Sequence, residues 1–213
     1  MEIVNLCKIL FSGLGTTLII FCITLLLSIP LGVIVAILKN SKNVIISRIM
    51  AVYILVIRGT PMVLQIIFVY FAPYYIFKVS MDRFLAIIVA FVVNYAAYFS
   101  EIFRSGINSI SKGQVEAAYT LGLNKFQTYM YIILPQVVKK VLPATSNEVV
   151  SLIKSTSLAQ MIGIAEMFSL AQKQANYLFS ITPLILAGGY YLILVGIISL
   201  VFSKVEKKLE YYS

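Results

Sequence analysis

The chain has 213 residues, 61% hydrophobic and 12% charged, where an average soluble domain carries about a quarter charged residues. It has no histidine and two cysteines, Cys7 and Cys22, which excludes histidine-based zinc, haem and triad chemistry within it and fits neither a disulfide framework nor a metal spacing. With a mean hydropathy of +0.97 this is a polytopic membrane protein, and its formal net charge of +9 reads as basic residues kept in cytoplasmic loops rather than as a nucleic-acid surface.

The opening MEIVNLCKIL lacks the basic stretch and cleavage site of a secretory signal, so the first apolar run is expected to stay as an anchor. No charge occurs from Ile9 to Leu38, and 16–38 is the first predicted span, bent by Pro30 and Gly32. The second, 49–72, is interrupted by RGTP at 58–61. Thr60 is a good N-cap and Pro61 suits a first helical position, which predicts a helix restarting inside the span with free N–H groups aimed at a polar cavity. Arg58 adds a two-pronged donor for a carboxylate, and Met62 a soft wall. The third span, 84–103, carries Asn94 and Glu101, seven residues apart and so on one helix face, with Glu101 a candidate for an ammonium or cationic group.

A long polar connection, 104–142, follows; within it Ser111 is expected to cap a short helix over 114–121. Gly122 stands where a left-handed C-cap is needed, Asn124 starts a second helix over 125–134, and Pro135 interrupts it. Ala117 and Ala118 give the short helix a thin face, which suits either a surface-lying loop helix or close approach by another protein's groove. The fourth span is placed at 144–168 despite Glu148, Lys154 and Glu166, and the fifth at 182–203. Charge inside the hydrocarbon costs roughly 2.5–3.5 kcal/mol on insertion scales. Arg58, Glu101, Glu148, Lys154 and Glu166 therefore need either interhelical pairing, such as Arg58 with Glu101 or Glu148 with Lys154, or a polar cavity at mid-bilayer.

Five spans put the termini on opposite sides. Eleven basic residues (Lys39, Lys42, Arg48, Arg104, Lys112, Lys125, Lys139, Lys140, Lys204, Lys207 and Lys208) fall on one side and four (Lys8, Lys78, Arg83 and Lys173) on the other, which predicts a cytoplasmic C-terminus and an outer N-terminus. No internal repeat is evident, and residues 1–213 read as a single membrane domain.

EAAYTLG at 116–122, followed by IILP at 132–135, resembles the cytoplasmic loop signature of ABC importer permeases. RGTPMVLQ at 58–65, NYAAYFSEIFRSGI at 94–107, KGQVEAAYTLG at 112–122, ILPQ at 133–136 and LIKSTSLAQMIG at 152–163 resemble its polar amino-acid uptake branch. The resemblance implies an all-α type I ABC importer permease fold with five transmembrane helices and a cytoplasmic coupling segment, about 111–135, between spans three and four. It implies a coupling role for Glu116, Ala117, Ala118 and Gly122, whose short helix docks in a cleft of the ATPase subunit. It also implies substrate contacts at Thr60, Met62, Asn94 and Glu101; Arg58 is added from the residues alone. The implied partners are an ABC ATPase dimer inside, a second permease subunit (a copy or a paralogue) and a substrate-binding protein outside, in the plasma membrane of a prokaryote. No G-x-x-x-x-G-K-[ST] phosphate loop is present, so ATP and Mg belong to the partner ATPase, and the chain is expected to hold no cofactor and to be no enzyme. The implied function is import of polar or charged amino acids, basic ones included, by alternating access through a mid-membrane cavity. Cystine or an opine is the alternative cargo. An ion-coupled secondary transporter working through Glu101 fits less well, because the chain is short and shows no inverted repeat.

Overall fold

A computed structural model describes residues 2–209, and its regular elements are helices. Helix α1 (Glu2–Lys39) runs for 38 residues with Pro30 inside it. At 1.5 Å per residue it is a rod of about 57 Å, nearly twice the hydrocarbon thickness. The Asn43 side chain then accepts the N–H groups of Ile45 and Ile46 and starts α2 (Val44–Gly59). Helix α3 (Met62–Phe77) leaves α2 at 110°.

The break falls where RGTP places it, but its chemistry differs from the sequence expectation. Pro61, not Thr60, is the N-cap residue of α3, and the Thr60 hydroxyl donates back to the Val56 carbonyl at 2.8 Å. The proline ring disfavours helical geometry at the residue before it, and here Thr60 is extended (φ −116°, ψ 147°) and closes α2.

Asp82 caps α4 (Arg83–Asn108) by accepting the Leu85 N–H at 2.9 Å. Ile87, Phe91, Tyr95 and Phe99 recur every fourth residue along α4, all at most 2% exposed, and pack with Ile20 of α1, Ile66 of α3 and two residues further on, Val149 and Leu152. Helix α4 is thus the hub around which the rest assembles.

A short helix α5 (Lys112–Thr120) follows, then α6 (Lys125–Gln127), one π-helical turn (Thr128–Ile133) and α7 (Leu134–Ser155). Pro135 does not interrupt this run. Lacking an N–H, it leaves a carbonyl of the preceding turn without a donor, and the widened π turn, in which the Leu134 N–H reaches the Tyr129 carbonyl, lies just ahead of it. The stretch 144–168 is likewise not one helix. Helix α7 ends at Ser155, a 3-10 turn covers Thr156–Ile162, and α8 (Met167–Leu178) begins beyond it. Glu166 is fully buried as the cap of α8, where its carboxylate accepts the N–H groups of Phe168 (2.7 Å) and Ser169 (2.6 Å) and the Tyr191 hydroxyl (3.3 Å). It is a structural group with three donors. Tyr191 belongs to α9 (Thr182–Leu209).

Helix α8 lies against α1 at Gly13. A Cβ there would come within 2.8 Å of the Met167 N and Cα, so only glycine lets the two backbones approach this closely. Beside it the Met167 N–H donates to the Thr17 hydroxyl oxygen at 3.3 Å.

Among the described residues, α1, α4 and α9 are each long and apolar enough to cross a membrane, and α2 with α3 qualifies as one bent span. Helix α7 carries Lys139, Lys140, Glu148 and Lys154 within its 22 residues and does not qualify by composition.

Candidate functional site

Charge gathers in one cavity of about 670 Å³, where α2, α4 and α7 meet. That volume lies in the range of small-molecule sites, about 300–1,000 Å³. Its polar lining includes Arg58, Tyr98, Glu101, Arg104, Lys140 and Glu148.

Glu101 is the most heavily bonded of these. Oε1 accepts from Lys39 Nζ (3.0 Å) and Arg104 Nε (3.0 Å), and Oε2 from Arg104 Nη2 (2.9 Å). Arg104 sits three residues along α4 and meets the carboxylate as a fork, while Lys39 arrives from the end of α1. Arg58 Nη1 is the third cation, at 3.9 Å, beyond hydrogen-bond reach. The Arg58 guanidinium instead lies 5.2 Å from the centre of the Tyr98 ring, a cation–π arrangement, and its side chain is 44% exposed. The expected Arg58–Glu101 pair is therefore present, as the longest member of a larger cluster.

The expected Glu148–Lys154 pair is not present among the described residues. Six residues along a helix turn about 240°, which points the two side chains to different sides. Glu148 lines the cavity, and Lys154, in the last turn of α7, is exposed.

Thr60 and Asn94 are joined elsewhere, through Gln65. The Gln65 amide donates to the carbonyls of Ile57 (2.7 Å) and Thr60 (3.1 Å) and to the Thr60 hydroxyl (2.8 Å), and its oxygen accepts from Asn94 Nδ2 (2.8 Å). One side chain thus satisfies carbonyls freed by the α2–α3 break and ties them to a nearly buried asparagine of α4. Thr60 and Gln65 also line a separate, apolar pocket of about 460 Å³. Met62 packs against the main core. The five expected contact residues therefore do not line one cavity: Arg58 and Glu101 meet, Thr60 and Asn94 meet through Gln65, and Met62 stands apart. Sequence reasoning missed Gln65, whose signal is a lone amide in the apolar run 62–72, and it missed Lys39 and Arg104 as members of the charged site; Glu148, expected to need a partner or a polar cavity, lines that cavity.

At the other expected site, α5 ends as the sequence predicts. Gly122 adopts φ +79°, its N–H bonds the Tyr119 carbonyl (2.9 Å), and the Leu123 N–H bonds the Ala118 carbonyl (3.0 Å), the two bonds of a Schellman motif. Asn124 and Gln127 then form a reciprocal capping box that launches the next helix. Ser111 occupies the N-cap position of α5 without a side-chain bond. Glu116 and Ala117 are exposed. Ala118 is not available to a docking protein as expected: it is 3% exposed, turned into this chain's own fold. Leu121 (81% exposed) and Phe126 (70%) project around the corner. Val115 anchors α5 to an apolar cluster of Ile133, Val137 and Val141 beneath it.

Residues 28–211 match the family described as binding-protein-dependent transport system inner membrane component. A putative glutamine transport system permease protein of Rickettsia typhi is 38% identical over 208 residues, covering 95% of this chain and 94% of that protein. An arginine transport system permease protein of Bacillus subtilis is 37% identical, covering 94% and 92%, and an L-cystine transport system permease protein of the same organism is 36% identical, covering 96% and 88%. A crystal structure of an amino acid ABC transporter with histidines superposes with a TM-score of 0.89 at 29% identity, covering 97% of each chain. An inward-facing methionine ABC transporter shares the fold, with a TM-score of 0.73 at 17% identity over 96% of this chain and 95% of that one.

Proposed function

This chain belongs to the family of binding-protein-dependent transport system inner membrane components, and from that premise we propose how its parts serve transport. It is the transmembrane subunit of an ATP-binding-cassette importer for polar or charged amino acids. The end-to-end match to amino-acid permeases carries this reading. The chain is a transport component rather than an enzyme, and ATP and Mg act through the partner ATPase. A substrate-binding protein delivers cargo from outside, and a second permease subunit, a copy or a paralogue, completes the pathway. Relatives named for glutamine, arginine and cystine stand at similar identity, so the class of cargo is assigned here and its member is left to measurement.

The substrate path runs past the broken span, with Thr60, Met62 and Asn94, to the cavity where Arg58 and Glu101 meet. Five crossings serve it: α1, the bent α2–α3 pair, α4, α7 with its 3-10 turn, and α9. The corner formed by α5 and Gly122 docks on the ATPase through Glu116 and Ala117, while Ala118 packs the helix from within.

The test is ATP hydrolysis by the complex reconstituted with its ATPase and binding protein, across the L-amino acids. Stimulation by one or a few is expected, and a flat response to all of them rejects the reading. Gly122→Val isolates the coupling step. An added Cβ would meet nothing within 4 Å, so the cost is the left-handed backbone alone, about 1–2 kcal/mol confined to the corner. The variant complex should insert and lose most substrate stimulation; full stimulation would remove the coupling role.

Orientation has its own check. With the N-terminus outside, Cys7 lies ahead of the first span and Cys22 within it. A membrane-impermeant maleimide applied to cells with any outer envelope permeabilised should label the wild type and label Cys7→Ser far less. Equal labelling of the two reverses the assignment.

A further inference from the structure

We propose that Arg58 and Glu148 bind the two charged ends of a zwitterionic substrate, Arg58 its α-carboxylate and Glu148 its α-ammonium, while Glu101 is a fixed counter-ion and not a substrate contact. This rests on the amino-acid reading above and assigns the chemical groups within it.

The assignment follows from which charges are already engaged. Both oxygens of Glu101 are bonded, by Lys39 and by the fork of Arg104. With Arg58 at 3.9 Å, three cations surround one carboxylate, so a cationic substrate group approaching Glu101 meets net positive charge. Lys140, also in the cavity lining, donates to the Ser109 carbonyl at 2.9 Å. Arg58 is the cation least engaged: its side chain is 44% exposed, and its contact with Glu101 lies outside hydrogen-bond distance. Its five donors in a rigid fork suit a carboxylate.

Glu148 is the complementary case. Half-buried on α7, it lines the same cavity, and among the described residues it makes no ion pair within 4.0 Å and no side-chain hydrogen bond. A half-buried ionised carboxylate without a partner calls for a cation. Arg58 and Glu148 stand on different helices, α2 and α7, without closing on each other. A molecule carrying both charges within one cavity supplies Arg58 with a carboxylate at hydrogen-bond distance and Glu148 with its missing cation. The surplus of positive charge around Glu101 favours zwitterionic or acidic cargo over basic cargo.

The test uses the permease–ATPase complex in lipid nanodiscs without the external binding protein, so that recognition by this chain is read alone. Binding of L-glutamine, L-arginine, L-cystine and the remaining L-amino acids is measured by calorimetry, each beside its decarboxylated amine and its deaminated acid. For the amino acid that binds, both analogues should bind tenfold or more weakly to wild type, since each loses a hydrogen bond to a charged group. Glu148→Gln should weaken the amino acid about tenfold and leave the deaminated acid within twofold. Glu101→Gln should not weaken amino-acid affinity, because it removes a counter-ion of Arg58 and leaves both proposed contacts in place. A deaminated acid that binds wild type as well as the amino acid overturns the clamp, and this arm needs no variant to fold. Undiminished affinity in Glu148→Gln overturns it too, as does a tenfold loss in a stably folded Glu101→Gln complex. If hydrolysis by the full assembly responds to an amino acid that this chain alone does not bind, the clamp falls and the importer reading stands. If nothing stimulates the full assembly, the importer reading falls first.

Discussion

Glu101→Gln is expected to lower the melting temperature of the assembled complex by the same amount with and without substrate. The change keeps the shape of the side chain and removes the anion shared by Lys39, Arg104 and Arg58. Exposed ion pairs contribute up to about 1 kcal/mol, whereas breaking a buried pair costs about 3–5 kcal/mol because the remaining charge is stranded. The Glu101 side chain is 19% exposed, which places the loss between these limits, at about 2–3 kcal/mol. Arg104→Gln alone should cost less, since Lys39 still neutralises the carboxylate, and the double variant Glu101→Gln/Arg104→Gln should recover part of the loss. Thermal unfolding followed in detergent and in nanodiscs checks the set. An unchanged melting temperature in Glu101→Gln would show that the cluster carries no stability.

A loss of similar or greater size is expected from Gly13→Val. Atoms of the Met167 backbone and Leu170 Cδ1 lie 2.8 Å from the position of the added Cβ. A long side chain can swing aside, but backbone cannot, so α1 and α8 must separate. Overpacking of this kind costs about 1–3 kcal/mol, occasionally more, and the separation also breaks the Thr17–Met167 bond. Gly15 supplies the control. It lies two residues along the same helix with nothing within 4 Å of an added Cβ, so Gly15→Ala should be neutral or stabilising by up to about 1 kcal/mol. Protease nicking of the 163–181 region reads the result directly. Gly13→Val that resists nicking as well as wild type would rule out the tight approach.

The two sites differ in how far they could be read from sequence. The corner at Gly122 was legible because its determinants are local: a glycine one position past the C-cap, then Asn124 to start the next helix. The break at RGTP was legible for the same reason, although the cap was misassigned, since Thr60 takes its conformation from the proline after it rather than from its own hydroxyl. The charge-free runs behind α1 and α9 marked those helices plainly. The charged cavity was legible only in part. Arg58 and Glu101 were recognisable as opposite charges that could pair, but Lys39 and Arg104 stand near the ends of apolar runs, where a basic residue ordinarily faces water. Their turn back toward Glu101 depends on how α1 and α4 align, which no local pattern records. The partners of Glu166 were illegible for a related reason. Its partners are backbone N–H groups two and three residues ahead and a tyrosine 25 residues away, and neither appears in a count of charges.

The bond between Thr17 and Met167 joins residues 150 positions apart. At about 5–20 residues per second of synthesis, Thr17 exists for roughly 8–30 s before the start of α8 has been made. During that interval the Thr17 side chain has no partner from α8. Thr17 is suited to the wait, because its hydroxyl donates to the Gly13 carbonyl of its own helix at 3.2 Å and so carries no unsatisfied hydrogen into the bilayer. The oxygen keeps a lone pair, and that is the part the Met167 N–H takes up when it arrives. Thr17 can therefore enter the bilayer early and take up its contact with α8 late without exchanging its own hydrogen bond.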